Sequence, residues 1–284
     1  MLSFDRVAHL SDANAGPGLL SGAVPLDPSA ALLTDRVAVV TGSAIGIGEA
    51  IALAFARFGA HVAICDRDVE NLDGTADGIE AAGRRVVAAE LDVRDEDACR
   101  EFVHTVRDEL GGVDVLVNNA GGGFFADFVD VNAKGQDALV RENFGSVTNF
   151  VRPVVAAMGE RGGSIVNLTS IEAHRAAPGY AVYSAMKAAV TSLTMSLALE
   201  LGPRLIRVNC IAPDVIPTPG VGPVGVHTPL PVAGHVDDVA ACAVFLASDL
   251  SRFVTGTTIH VDGGNLAAGG WHRRSDGQYV THAP

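Results

Sequence analysis

From Asp35 onward the chain falls into a regular alternation of short apolar runs and longer mixed segments. The apolar runs are RVAVVT (36–41), HVAICD (61–66), RVVAAEL (85–91), VDVLVNN (113–119), SIVNLTS (164–170), RLIRVNCIAP (204–213) and TIHVDGG (258–264). Helical spacing fits IGEAIALAFARFG (47–59), a polar stretch near 68–82, a charged stretch near 95–110, and AVYSAMKAAVTSLTMSLALELG (181–202), which stops at Gly202-Pro203. Runs that are apolar at nearly every position are strands buried on both faces. Their alternation with helices predicts an α/β fold: one parallel sheet, doubly wound by right-handed crossovers, of the Rossmann type, in a single domain. Residues 1–34 are rich in Gly, Pro, Ser and Asp without periodicity and read as an N-terminal extension. The folded unit is expected over 35–265, with 266–284 as a C-terminal tail.

Composition narrows the partners. The 284 residues are 48% hydrophobic and 19% charged, enough to bury a sizeable core. A formal net charge of −13 sets the chain against phosphate backbones and anionic lipid, so neither nucleic acid nor membrane is expected as a partner. Cysteines 65, 99, 210 and 242 stand alone, without metal-site spacing, and read as small buried hydrophobes of a reducing cytosol. The opening MLSFDRVAHLSDANAGPG has an early acid and no apolar h-region, so no signal peptide is expected. No uncharged apolar run is long enough to span a bilayer. The expectation is a cytoplasmic protein.

In a doubly wound sheet, ligands bind beyond the carboxyl ends of the strands. The residues found there are TGSAIGIG (41–48), Asp66, Asp92, NNAGGG (118–123), Ser170 and Pro213. Polar or glycine punctuation recurs at that one edge, which weighs more than any single motif. In the first turn, Gly42, Gly46 and Gly48 are separated by Ser43, Ala44, Ile45 and Ile47. Glycine permits a tight turn and close backbone approach, and a following helix offers free N–H groups to a pyrophosphate. Taken alone, ordinary turn chemistry explains this stretch about as well. Asp66 lies 24 residues after Gly42. A carboxylate there accepts from both hydroxyls of an adenosine ribose and repels a 2′-phosphate. Ala44 and Ile45 supply no base for that phosphate, and only Arg67 is nearby. NAD is therefore favoured over NADP.

Tyr183 and Lys187 are four residues apart on the 181–202 helix, hence on one face with Cβ atoms roughly 5–6 Å apart. A free tyrosine titrates near ~10, so service as a base near neutrality needs a shift of about three units, roughly 4 kcal/mol. A positive charge about 5 Å away at an effective dielectric of ~20 supplies roughly 3 kcal/mol. The chain has 18 Arg and only 2 Lys, so a lysine at this spacing by accident would be rare. Lysine is the compact charge suited to pKa tuning, and arginine does not replace it.

In their order, TGSAIGIG, Asp66, Asp92-Val93, NNAG, Ser170 and YSAMK (183–187) resemble the short-chain dehydrogenase/reductase family, over about residues 35–265. The resemblance implies that Tyr183 is the general acid/base. It makes Lys187 the residue that binds the nicotinamide ribose and lowers the tyrosine pKa. Ser170 would hold the substrate oxygen, and Asn143 a water that relays protons to the lysine. Asn119, Ala120 and Gly121 would line the adenosine side, Asp92 and Val93 the adenine, and the Ile211–Thr218 segment (Pro213, Val215, Ile216, Thr218) the nicotinamide. Similar proteins are commonly tetramers or dimers built through the long helix. One departure stands out: Asp214 follows Pro213 where the family usually has Gly.

Residues 215–236 hold five prolines, four glycines and no Asp, Glu, Lys or Arg. As a substrate loop this segment suits an uncharged, fairly hydrophobic molecule, and as an irregular surface connection it needs no ligand at all. Phe124, Phe125 and Phe128 fit either an apolar wall or the core. Glu172, His174 and Arg175 fall just past Ser170 and can edge a pocket. The leading expectation is an NAD-dependent oxidoreductase acting on a secondary alcohol or ketone. The alternatives are an NADPH-dependent carbonyl or 3-ketoacyl reductase and a non-catalytic dinucleotide-binding regulator.

Overall fold

The computed structural model describes residues 26–214, 216–219, 221–222, 225–226, 228–274 and 277–281. Seven parallel strands form one sheet: β1 (Val37–Thr41), β2 (His61–Asp66), β3 (Val86–Glu90), β4 (Val115–Asn118), β5 (Gly163–Leu168), β6 (Ile206–Pro213) and β7 (Thr258–Val261). Their order is β3-β2-β1-β4-β5-β6-β7. The direction of winding reverses between β1 and β4, which opens a crevice at the carboxyl ends of those two strands.

The helices are α1 (Gly46–Arg57), α2 (Val69–Ala81), α3 (Glu96–Leu110), α4 (Ala133–Val140), α5 (Ser146–Ala157), α6 (Ala181–Leu201), α7 (Val236–Ala247) and the short α8 (Asn265–Ala268). Successive strand residues point to opposite faces. Thus Ala38 and Val40 pack with Ile51 and Phe55 of α1 and Val239 and Ala243 of α7, whereas Val37 and Val39 pack with Phe102 and Val106 of α3 and Phe150 of α5. Two apolar layers explain why the strand runs are apolar at nearly every position.

Two helical stretches escape the sequence pattern. The segment 133–157 is punctuated by Gly135, Gly145 and Pro153 and passes through a π-helical turn, Arg141–Gly145, between α4 and α5. In α7, ten of twelve residues are apolar, so no polar stripe marks a period. Its start is fixed instead by a reciprocal cap, in which His235 Nδ1 accepts from Asp237 N at 3.2 Å and Asp238 Oδ2 accepts from His235 N at 2.8 Å. Packing also begins ahead of Asp35, since Leu33 is fully buried and donates its N–H to Phe58 O. Beyond α8, β8 (His272–Arg273) and β9 (Tyr279–Val280) make an antiparallel hairpin. Cys65, Cys99 and Cys210 are buried and Cys242 is half-buried, all as free thiols.

Candidate active site

The first turn is built by close approach. Gly42 and Gly46 have φ of +67° and +71°, a region costly for other residues. A Cβ on Gly42 would lie 2.9 Å from Ala120 Cα, and one on Gly48 would drive into the Gly42 carbonyl oxygen. The turn is stitched to the end of β4. Asn119 Nδ2 donates to Thr41 O at 3.0 Å and Gly42 O at 2.8 Å, and Thr41 Oγ1 accepts from Asn119 N and Ala120 N at 3.1 and 3.0 Å. Helix α1 opens with Ile45 at its N-cap, so no side chain from the cap position fills its first N–H groups; Gly46 N alone reaches Glu49 Oε2, at 3.3 Å.

In front of this turn lies a cleft of about 340 Å³. Gly42, Ile45, Gly46, Ile47, Asp66, Arg67, Val93, Asn119, Ala120, Gly121, Tyr183, Lys187, Pro213 and Thr218 all line it. Its walls also include Leu91, Glu142, Leu168 and Thr169, which sequence reasoning did not single out. Ala44 is buried behind the turn and donates its N–H to Asp66 Oδ2 at 3.0 Å. Gly48 forms the packed floor. Val215 lies outside the described residues.

Two expected cofactor contacts stand elsewhere, and Ser170 and Asn143 are not among the residues that line the cleft. Asp92 faces an adjoining surface recess together with Arg94 and Arg141. The Arg94 side chain grips both of its carboxylate oxygens, at 2.5 to 3.0 Å, and holds the Asp92 pKa down to about 2. Ile216 faces a second cavity on the far side of the Pro213–Thr218 segment.

At the ribose end, Asp66 Oδ1 accepts from Arg67 N at 2.7 Å and Asp68 N at 3.2 Å. The Arg67 guanidinium is turned toward Glu142, Nη2 to Oε1 3.3 Å. The one base beside Asp66 is thus partnered by a carboxylate.

At the other end, the first turns of α6 bring Tyr183 and Lys187 together, with Lys187 Nζ 5.6 Å from the Tyr183 ring centroid. Lys187 is buried and donates to Leu168 O at 2.9 Å; burial lowers its pKa to about 8. Burial also dominates at Tyr183 and pushes the phenol up, assisted by the Glu172 and Tyr180 charges and opposed by a hydrogen bond from Ser170. The expected lowering of the tyrosine is therefore not the balance found in the protein alone, because desolvating a phenolate costs more than Ser170 returns. Ser170 Oγ also accepts from Glu172 N at 3.1 Å, which fixes the loop behind it.

Asn143 sits buried in the π-helical turn. Its Oδ1 accepts from Gly122 N at 3.2 Å, and its Nδ2 donates to Gly122 O at 2.8 Å and Leu139 O at 3.0 Å. A Cβ on Gly121 would stand 2.8 Å from Asn143 Oδ1 and 3.1 Å from Lys187 Nζ. Only a glycine lets the asparagine and the lysine flank the end of β4 this closely.

Phe124, Phe125 and Phe128 are 45, 71 and 65% exposed, so they are not core. Phe125 packs edge-on against Tyr180 at 5.7 Å, and Tyr180 against Tyr183 at 6.3 Å. Asp214 occupies its turn without a left-handed backbone; among the described residues only Asp35 and Leu205 adopt positive φ without being glycine. Its mostly buried carboxylate turns away from the cleft, accepts from Asn265 Nδ2 at 2.7 Å and lies 3.7 Å from Arg175, which pairs with Glu172 at 2.8 Å.

A family model described as Enoyl-(Acyl carrier protein) reductase matches residues 42–265. The chain is 39% identical over 241 residues to the 3-oxoacyl-(acyl-carrier-protein) reductase of Thermotoga maritima, covering 82% of this chain and 98% of that protein. Among solved structures it is similar to a short-chain type dehydrogenase/reductase from Mycobacterium ulcerans, with 32% identity, a TM-score of 0.80 and coverage of 83% and 91%. It is also similar to carveol dehydrogenase from Mycobacterium avium in complex with NAD, with 30% identity, a TM-score of 0.77 and coverage of 83% and 99%.

Proposed function

The chain belongs to the short-chain dehydrogenase/reductase family of oxidoreductases, and from that premise we propose that it is an NAD-dependent enzyme interconverting an uncharged, hydrophobic secondary alcohol and its ketone. The observation that carries this reading is that Tyr183, hydrogen-bonded by Ser170, and Lys187 stand at one end of a glycine-floored cleft whose other end is Asp66.

The cleft fits a dinucleotide. The Gly42–Gly48 turn and the uncapped start of α1 suit a pyrophosphate, and Asp66 suits the adenosine ribose hydroxyls. The Asp66 carboxylate, with Arg67 already partnered by Glu142, disfavours a 2′-phosphate and supports NAD over NADP. When bound, nicotinamide supplies or accepts hydride. Ser170 Oγ holds the substrate oxygen, and the Tyr183 phenol takes or returns that oxygen's proton. Lys187 adds positive charge beside the phenol, and Leu168 O holds the ammonium in place. Asn143 keeps the π-helical turn closed against Gly122, and Val93, Pro213 and Thr218 close the cleft.

A panel of secondary alcohols and ketones assayed with NAD and NADP tests the reading. Turnover with NAD should be lost in Tyr183→Phe while NAD binding by calorimetry persists. Retained turnover would remove Tyr183 from the role.

The same reading includes a second copy of the chain. Within its own chain α6 buries only a stripe, Lys187, Val190, Thr194 and Ala198, and leaves Met195 and Leu199 exposed. A dimer or tetramer through this helix covers that apolar face. Light scattering of Leu199→Arg should report a smaller species than the parent. The free thiols suit a cytoplasmic location.

A further inference from the structure

The proposed reaction leaves three charged side chains beside the site without a role: Glu172 and Arg175 on the loop after β5, and Asp214, which stands where similar proteins usually have Gly. Glu172 is tied by its backbone to both sides of the Tyr183 phenol. Its N–H donates to Ser170 Oγ at 3.1 Å, and Ser170 is the hydroxyl bonded to Tyr183. Its carbonyl accepts from Ser184 Oγ, the side chain next to Tyr183 in α6, at 2.7 Å. The residue that bears this carboxylate is therefore fixed between a partner of the phenol and the first turn of the phenol's own helix.

The carboxylate itself is held by Arg175, three residues on. The guanidinium grips it side-on, Nη2 to Oε1 at 2.8 Å and Nε to Oε2 at 3.4 Å. The same Nη2 lies 3.7 Å from Asp214 Oδ1, and the other Asp214 oxygen accepts from Asn265 Nδ2 at 2.7 Å. One arginine thus joins the loop after β5 to the segment after β6, and α8 backs that segment. The Glu172 and Asp214 side chains are only 22 and 11% exposed, so water and salt screen them incompletely. The planar fork of arginine suits this two-sided grip, which the point charge of a lysine does not reproduce. A glycine at position 214 would leave the outer side of the guanidinium without its second carboxylate.

A carboxylate close to a phenol disfavours the ionised phenol. Around Tyr183, Lys187 on the same helix is a cation, and Glu172 on the loop and Tyr180 ahead of the helix both push the phenol up. Glu142 of the π-helical turn lines the same cleft but is paired with Arg67. We propose that Arg175 is a positioning residue of this site: held toward Asp214, it keeps the Glu172 carboxylate back from Tyr183 and so limits the negative charge against which the phenol ionises. Arg175 acts through Glu172 and needs no contact with substrate or cofactor. This assignment rests on the proposed acid–base role of Tyr183.

The test titrates the phenol in the parent, Arg175→Gln, Glu172→Gln and the double variant. Two readouts are taken: tyrosinate absorbance, with the spectrum of the matching Tyr183→Phe protein subtracted, and the pH profile of kcat/KM for oxidation of 1-phenylethanol with NAD. Arg175→Gln should raise the tyrosine pKa by about one unit and slow turnover below the limb about tenfold, with the high-pH plateau unchanged, because a freed carboxylate opposes only the ionisation. Glu172→Gln should lower the pKa. In the Glu172→Gln background, further loss of Arg175 should move it little. Arg175→Lys, which keeps the charge but not the fork, should fall between the parent and Arg175→Gln. No rise in Arg175→Gln, or an equal rise in both backgrounds, overturns the assignment. A rate lost at every pH with the limb unmoved also overturns it and leaves the redox reading intact. The expected absorbance pattern without any turnover supports the assignment and counts against the redox reading.

Discussion

Replacing Lys187 by Met removes a positive charge beside Tyr183. With Nζ 5.6 Å from the phenol ring centroid and an effective dielectric of about 20, Coulomb's law puts the interaction with a tyrosinate at about 3 kcal/mol. At 1.36 kcal/mol per pKa unit, that is about two units. Burial already holds the phenol above its ordinary value, so loss of the lysine lifts it further from neutrality. The assay is the pH profile of kcat/KM for alcohol oxidation with saturating NAD, which reports the free groups of the enzyme. In the parent, the limb reports the tyrosine beside a lysine whose pKa burial lowers to about 8. In Lys187→Met the ascending limb should move up by about two units and the rate at neutral pH should fall about a hundredfold. Lys187→Arg should restore the charge but not the compact placement against Leu168 O, so its limb should return only partway. A limb that stays put in Lys187→Met, with the rate lost at every pH, would refute the electrostatic argument and leave the lysine a purely steric or cofactor-holding part.

Four further outcomes are expected. Asp66→Ser should improve kcat/KM with NADP relative to NAD by tenfold or more, because a carboxylate is withdrawn from the place of the 2′-phosphate. Gly48→Ala should abolish NAD binding by calorimetry or prevent folding, since its Cβ meets the Gly42 carbonyl and Asn119 Nδ2. Asp92→Asn should cost about 1 kcal/mol or less at pH 7, the pair being partly exposed, with NAD affinity nearly unchanged. Because the Asp92 pKa is depressed to about 2, that contribution is fully present above the unfolded value near 4 and is lost as pH falls toward 2, as melting against pH would report. Lys187→Met should melt a few degrees higher at pH 7, and the gain should shrink as pH rises from about 8 through 10.5, where the unfolded chain also loses that proton.

The strand ends were legible because a doubly wound sheet gathers its ligand-binding residues there, and the apolar runs marked the strands directly. Gly42, Asp66, Asn119, Tyr183 and Lys187 line one cleft for that reason. What stayed hidden depends on geometry with no period in the sequence. Glu142 precedes Asn143 in a π-helical turn, whose spacing a 3.6-residue pattern does not describe. Leu168 matters through its backbone carbonyl, which any residue would carry. Asp92 left the cleft because Arg94, two residues on, folds back onto it, a loop contact that spacing alone does not fix. The direction of the Tyr183 shift turned on burial, and a count of nearby charges omits that term.

Lys187 shows how stability and chemistry are weighed against each other in this fold. Its pKa falls from 10.5 to about 8, so keeping it charged in the interior costs about 3 kcal/mol. Its attraction for a tyrosinate whose ring centroid lies 5.6 Å away is worth about the same. The folded state bears the first quantity at every moment, and the second appears only when the phenol ionises. A residue selected for packing alone would be apolar here. The surroundings are instead arranged to keep the ammonium: Leu168 O accepts from it, and Gly121 and the π-helical turn make room for it beside Asn143. These features cost stability or regularity separately, yet together they hold a positive charge against one phenol, which is the arrangement expected of a proton-transfer site and not of a binding scaffold.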